Sequence, residues 1–278
     1  SRHEKDGESY FLPGRDLKWW LIGFSLIAAN ISAEQFVGMS GQAAKSSIGL
    51  AVASYEWIAA VTLVAVAFFF LPTFLRSGIY TIPEFLEYRY NHYARTLMSL
   101  LMVLIYVFVT IATVIFLGAK ALEPLFTGTL LGVPMNITTL SWAVGVVAAI
   151  YVFAGGLKAC AWADLIQGAA LIVGGIVIMV LSFQALDRPG DFEGIDEAAV
   201  HASLGVDSGA SFGEKFGVLK KESMHMVLPR TSTFLPWTAL LLGIWIPNLY
   251  YWGLNQYIMQ RTLGASSLAE GQKGVVFA

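Results

Sequence analysis

The sequence predicts an all-α polytopic membrane protein, and three observations predict it. Charged residues are only 13% of the 278, where soluble domains average about 25%, and hydrophobic residues reach 56%. The charges are also unevenly spread, with 13 of them between Asp187 and Arg230. Finally, six other stretches stay apolar for the roughly 20 residues that a helix needs to cross a bilayer core. What remains cannot cover a globular surface with charge, so a single soluble domain is excluded. A formal net charge of −2 gives no basis for nucleic-acid binding. With Cys160 as the one cysteine, an internal disulfide is impossible. The four histidines, His3, His92, His201 and His225, are scattered, and neither an HExxH pattern nor a phosphate-binding glycine loop is present. Ser1 is not an initiator Met and Gly274–Ala278 enters further apolar sequence, so the chain reads as a fragment of a longer protein.

The first span, 19–44, carries Glu34 as its one ionised residue, and the second, 46–75, carries Glu56. The spans 97–119, 135–154, 165–186 and 234–260 contain no Asp, Glu, Lys or Arg. Arg2, Lys5, Arg15 and Lys18 precede the first span. Arg76, Arg89 and Arg95 lie between the second and third, Lys158 between the fourth and fifth, and Arg261 and Lys273 after the sixth. By the positive-inside rule these positions are cytoplasmic. Lys45 and the loop 187–233 are then external, the loop as an exposed polar segment with room for a short helix. All 278 residues read as one transmembrane domain: a five-helix unit over about 19–186, the loop, and a sixth span opening a second unit. Gly145 with Ala149, and Ala170 with Gly174, are small residues four apart, which suit close helix packing as well as the ordinary abundance of Gly and Ala in membranes.

Chemistry concentrates in the first span, where Asn30, Ser32, Glu34 and Gln35 cluster mid-bilayer, about 17 Å from Trp19 for Asn30. Polar groups at that depth usually face a cavity. Ser and Asn also favour local backbone bonds over helix interiors. A break near Asn30–Ser32 would free carbonyls such as those of Ala28 and Ile31 for a cation. The same pattern also fits a polar contact between helices. Glu56 needs a partner, a proton or water; it suits a polyol's hydroxyls, and equally a bond to the first span or to Tyr55. In the sixth span Pro247 removes a helical hydrogen bond and Gly253 adds freedom, while Asn248, Asn255, Gln256, Tyr250, Tyr251 and Trp252 offer amides and aromatic faces. Amides and aromatics suit a sugar, although tyrosine and tryptophan also form interfacial belts. Two interrupted helices in corresponding positions of two halves point to a secondary-transporter site. Asp164, at the start of the fifth span, fits a helix cap as well as an ion pathway.

Several motifs resemble the solute:sodium symporter family in its sodium/glucose and sodium/galactose branch. They are Tyr10-Phe-Leu-Pro-Gly-Arg15, Ala28-Ala-Asn-Ile-Ser-Ala-Glu-Gln-Phe36, Ser54-Tyr-Glu-Trp57, Gly78-Ile-Tyr-Thr-Ile-Pro-Glu84, Gly155-Gly-Leu157 with Asp164 and Gln167, and Asn248-Leu-Tyr-Tyr-Trp252 through Asn255-Gln256 to Gln260-Arg261. The resemblance implies the five-plus-five inverted-repeat, LeuT-like transporter fold with alternating access, here with about six transmembrane helices. It implies a multi-pass protein of the inner (plasma) membrane, with no enzymatic activity, that imports a galactose- or glucose-like sugar with sodium as the coupling ion. It implies sodium on the backbone carbonyls of Ala28 and Ile31, with Asp164 in sodium passage. Sugar contacts would come from Asn30, Gln35, Glu56 and Asn248, with Met39 outside and Tyr251 as the inner gate. Ala59 and Ala163 depart from the family's usual small hydroxyl and threonine. Rival readings are another solute (inositol, another hexose, sialic acid), a transporter-like sensor module and a polytopic membrane enzyme. No nucleophile–base pair in any span favours the last.

Overall fold

The computed structural model describes residues 16–278 apart from 33, 46, 47, 127 and 131, and the side chains of 45, 151, 154–159 and 161 are outside that description. Almost every ordered element is helical. The first span begins as α1 (Trp19–Asn30), ends at extended Ile31, and resumes as a π-helical turn, Glu34–Met39, continued by α2 (Ser40–Lys45). The two parts are inclined at 45°. The second span runs 49–76 as a 3-10 turn, α3 (Ser54–Ala65), a π-helical turn Val66–Phe70 and α4 (Leu71–Arg76). A short helix, α5 (Ile82–Arg89), follows. Thr81 and Glu84 cap its start reciprocally, and Gln256 Oε1 accepts from Ile82 N at 2.7 Å. The third span joins α6 (His92–Ile105), the π-helical turn Tyr106–Ile111 and α7 (Ala112–Leu122). A two-stranded ribbon, β1 (Thr129–Leu130) with β2 (Val133–Pro134), turns the chain back.

The fourth and fifth stretches lie in one helical run, α8 (Ile137–Asp187), where the sequence suggested two helices with a connector around Gly155–Ala163. Its 51 residues trace about 77 Å at 1.5 Å each, well over twice a bilayer core of about 30 Å. No proline interrupts the run, and the two adjacent glycines weaken a helix by only about 1 kcal/mol each. Its apolar parts are 137–150 and 162–187. The first packs on α7, with Gly145 beside Ile115 Cδ1. The second packs on α1, where a Cβ on Gly168 would lie 3.3 Å from the Phe24 carbonyl oxygen and 3.5 Å from Ala28 Cβ. Close approach therefore falls at Gly145, as expected, and at Gly168. Gly174 has open space beside it.

The loop 187–233 holds two helices. Asp196 caps α9 (Glu197–Leu204), and a Ser211–Glu214 capping box starts α10 (Phe212–Ser223). The Ser211 hydrogen bonds hold the Glu214 carboxyl below the usual carboxylate range. Phe212 and Phe216 pack on Phe183, and Lys215 Nζ donates to the Asp187 carbonyl at the end of α8, where the helix dipole favours a cation. Beyond α10, Ser54 Oγ donates to the Met226 carbonyl at 2.9 Å. Gly49 lies at φ +56°, and a Cβ there would overlap the Ser223 carbonyl. Gly49→Ala therefore meets left-handed strain of about 1–2 kcal/mol plus a backbone clash. We expect a lower thermal midpoint in detergent and faster proteolysis within 224–233; an unchanged midpoint would contradict this docking.

The sixth stretch divides into a π-helical turn, Ala239–Gly243, then α11 (Trp245–Gly253) and α12 (Gln256–Leu263), and α13 (Leu268–Phe277) ends the chain. The break falls at Leu254–Asn255, directly after Gly253. Pro247 lies three residues into α11, directly after the π-helical turn and helical Ile244, so a widened turn rather than a chain break precedes the proline. Asn255 Oδ1 then caps α12 through Tyr257 N at 3.0 Å. The buried core lies where α1, the second span, α11, α12 and α13 meet, around Ile22, Leu26, Val66, Leu71, Phe74, Ile258 and Leu263. Glu270 Oε2 accepts from Trp19 N at the start of α1. Outside this core, the third span, 137–150 and 162–187 expose apolar side chains such as Phe108, Val147, Ile166 and Val173, as helices solvated by lipid do.

Candidate functional site

The break in α1 has a local cause. Ser32 and Gln35 form a reciprocal cap on the π-helical turn. Gln35 Oε1 accepts from Ser32 N at 2.8 Å, and Ser32 Oγ accepts from Glu34 N at 3.1 Å. Such a Ser-x-x-Gln pairing starts a new helix instead of continuing the old one. In a continuous helix the Ala28 carbonyl would take Ser32 N and the Ile31 carbonyl would take Gln35 N. Here Ser32 N goes to Gln35 Oε1, and Gln35 N goes to the Ser32 carbonyl at 3.1 Å. The Ala28 and Ile31 carbonyls thus lose their helical donors, as does the Asn30 carbonyl, because Glu34 N goes to Ser32 Oγ.

Beside the break, Asn30 Nδ2 donates to Glu56 Oε2 at 2.9 Å, so the first and second spans meet through a polar pair. On the facing α11, Asn248 is fully buried. Its Nδ2 donates to the Ile244 carbonyl at 3.2 Å and to the carbonyl of Tyr55, next to Glu56, at 3.4 Å. Among the described residues its Oδ1 meets no donor. A buried amide oxygen without a partner normally awaits water or a ligand. Tyr251, three residues on, packs against the core and makes an edge contact with Trp252 at 5.1 Å between ring centroids. Thus Asn30, Glu56 and Asn248 are brought together. Gln35 directs its Oε1 into the cap. Met39 ends the π-helical turn half-buried and brings no polar group. Glu34 is exposed and Glu56 does not bond to Tyr55, so the partner of Glu56 is Asn30.

Asp164 belongs to a second group. It lies inside α8 rather than at a helix start, so the capping reading is corrected. Its Oδ2 accepts from Ser25 Oγ at 2.5 Å and pairs with Arg261 Nη2 at 3.1 Å. Arg261 Nε donates to Ser25 Oγ at 2.8 Å. All three are buried. Arg261 was counted among the cytoplasmic cations; its charge instead neutralises Asp164, which removes one vote from that tally and leaves the others. Sequence reasoning missed Ser25 and Arg261 as partners of Asp164, because the contacts of this group span 97 to 236 residues of chain. The available signal was an arginine closing an otherwise uncharged span.

A family model for the sodium:solute symporter family matches residues 10–278. The chain is 43% identical over 280 residues to a sodium/glucose cotransporter of Vibrio parahaemolyticus, a match covering 99% of this chain and 47% of the relative. It is 37% identical to the uncharacterized symporter YidK of Escherichia coli (strain K12), over 97% of this chain and 44% of the relative. Human sodium/myo-inositol cotransporter 2 is 31% identical over 98% of this chain and 38% of its own length. The chain therefore spans about half the length, or less, of the curated relatives it matches. Among solved structures, the substrate-bound outward-open state of a Na+-coupled sialic acid symporter superposes with a TM-score of 0.75 at 21% identity, covering 99% of this chain and 52% of that one. That likeness is one of fold, the LeuT-like fold.

Proposed function

The chain belongs to the sodium:solute symporter family, a family of multi-pass plasma-membrane proteins, and from that premise we propose that it serves a sodium-coupled symporter importing a galactose- or glucose-like sugar by alternating access. The reading makes it a transporter and not an enzyme. The observation that carries it is the broken α1. Its end releases the Ala28 and Ile31 carbonyls, oxygen donors suited to a hard cation, beside a polar group from two other spans. Sodium would sit on those carbonyls. The sugar would lie among Asn30, Gln35, Glu56 and Asn248, with Met39 towards the outside and Tyr251 stacked on its inner side. A sugar hydroxyl has both a donor and an acceptor, and it can satisfy the Asn248 Oδ1, which meets no donor among the described residues. Asp164 is assigned to the sodium pathway, with Arg261 as the counter-ion an entering cation would have to displace.

Coupling requires that each ligand bind the two access states with different affinity. Both ligands touching the same break offers a direct route to that difference. The test is uptake of a panel of labelled sugars into proteoliposomes holding the intact transporter, with and without an inward sodium gradient. Hexose uptake driven by the gradient is expected; uptake indifferent to sodium overturns the coupling. A second reading keeps the machine and changes the solute to inositol. The sodium/myo-inositol cotransporters among the relatives favour it, and amide and carboxylate chemistry suits both polyols. Uptake confined to inositol in the same panel would select it.

A further inference from the structure

Tyr257 connects the two polar groups, and neither role assigned so far uses it. Its backbone is fixed at the break of the sixth stretch: Tyr257 N donates to Asn255 Oδ1 at 3.0 Å and to Tyr106 Oη at 3.3 Å, and Tyr106 Oη donates to Asn255 Oδ1 at 2.5 Å. Its ring carries the Arg261 guanidinium at 4.6 Å from the centroid, and Arg261 Nη1 donates to the Tyr257 carbonyl at 2.5 Å. Its hydroxyl donates to the Ala29 carbonyl at 3.3 Å. Ala29 sits in the last turn of α1, where carbonyls have no helical partner, one residue from Ala28 and two from Ile31.

We propose that Tyr257 is a positioning residue for the coupling cation. Its hydroxyl holds the last turn of α1 from the side, so that the neighbouring Ala28 and Ile31 carbonyls keep the angle a sodium ion needs. The same side chain lies under Arg261, whose other contacts are Asp164 and Ser25. The aim of the cation site is thereby tied to the buried ion pair across α1, α8 and α12. A cation site made of two backbone carbonyls at a chain break has no intrinsic stiffness, and Tyr257 supplies it. This inference rests on the assignment of Ala28 and Ile31 as sodium ligands.

The test is Tyr257→Phe in the intact transporter. The substitution removes only the hydroxyl and leaves the ring beneath Arg261. Two titrations are read: sodium-driven sugar uptake, and the rise in thermal midpoint on replacing choline chloride by sodium chloride, which reports binding without transport. The half-saturating sodium concentration is expected to rise about three- to tenfold in both, the worth of one hydrogen bond. The sugar KM at saturating sodium and the midpoint in choline are expected to stay at wild-type values. A sodium titration unchanged by Tyr257→Phe, in a protein whose wild type responds to sodium, overturns the inference and leaves the functional reading standing. A joint fall of sodium affinity, sugar affinity and choline midpoint marks Tyr257 as merely structural and also overturns it. A wild type whose uptake and midpoint both ignore sodium overturns the functional reading itself, and this inference with it.

Discussion

Glu56→Ala is expected to abolish sodium-driven sugar uptake, and Gln35→Ala to do the same by a different route. Glu56 is a carboxylate in the second span whose protein partner is Asn30. Bonds from a carboxylate to neutral donors are charge-assisted, worth about 1.5–3 kcal/mol each, or roughly ten- to hundredfold in affinity per bond. Truncation removes these bonds to the sugar and also leaves the Asn30 amide without its acceptor. Glu56→Gln keeps shape and one acceptor, so it should retain measurable uptake with a raised KM. Gln35 carries two functions on one amide. Its Oε1 caps the π-helical turn through Ser32, and on the proposed reading its Nε2 would donate to the sugar. Gln35→Ala loses both. Gln35→Glu keeps the acceptor for Ser32 and loses the donor, so uptake surviving in Gln35→Glu but not in Gln35→Ala would make Gln35 a cap alone. Unchanged uptake in both Glu56→Ala and Gln35→Ala would sink the placement of the sugar.

The parts of this site that were legible in the sequence are the local ones. Asn30, Ser32 and Gln35 in an apolar span announce a break, because each competes with the helix for backbone partners. The Ser32-x-x-Gln35 pairing that sets the register of the break is equally local, but such pairings mark helix starts and this one lies in the middle of an apolar span. The break in the sixth stretch was read at Pro247 and Gly253, and it falls after Gly253. The helix absorbs Pro247 with the widened π-helical turn just before it, which no local pattern announces. The connector between the fourth and fifth spans is helical for the converse reason: two glycines without a proline do not end a helix that its neighbours support. Asp164 was legible as an unusual acid, but its meaning was not. Ser25 and Arg261 lie 139 and 97 residues away from it, and no periodicity or spacing joins them.

That buried group yields the largest expected loss of stability. Arg261 is 6% exposed and Asp164 9%, with fully buried Ser25 between them. Removing one partner of a buried pair leaves a charge without compensation, at about 3–5 kcal/mol. Arg261→Gln strands the Asp164 carboxylate against Ser25, and it also strips the cation from the Tyr257 ring. Asp164→Asn strands the guanidinium, although its bond to the Tyr257 carbonyl remains. Each single variant should therefore unfold at a clearly lower temperature in detergent. The double variant Asp164→Asn/Arg261→Gln should be more stable than either, because two neutral amides can hydrogen-bond to each other and to Ser25 without a buried charge. A double-mutant cycle reads the coupling directly, and additive losses would show that the pair contributes nothing beyond its separate contacts. Transport separates stability from mechanism. The pair fastens α1, α8 and α12 together, and a cation passing Asp164 must compete with a tethered guanidinium for the same carboxylate oxygen. The double variant restores the fold but offers the cation no carboxylate. Uptake should therefore stay low even where the thermal midpoint recovers, and full recovery of uptake would confine Asp164 to a structural role.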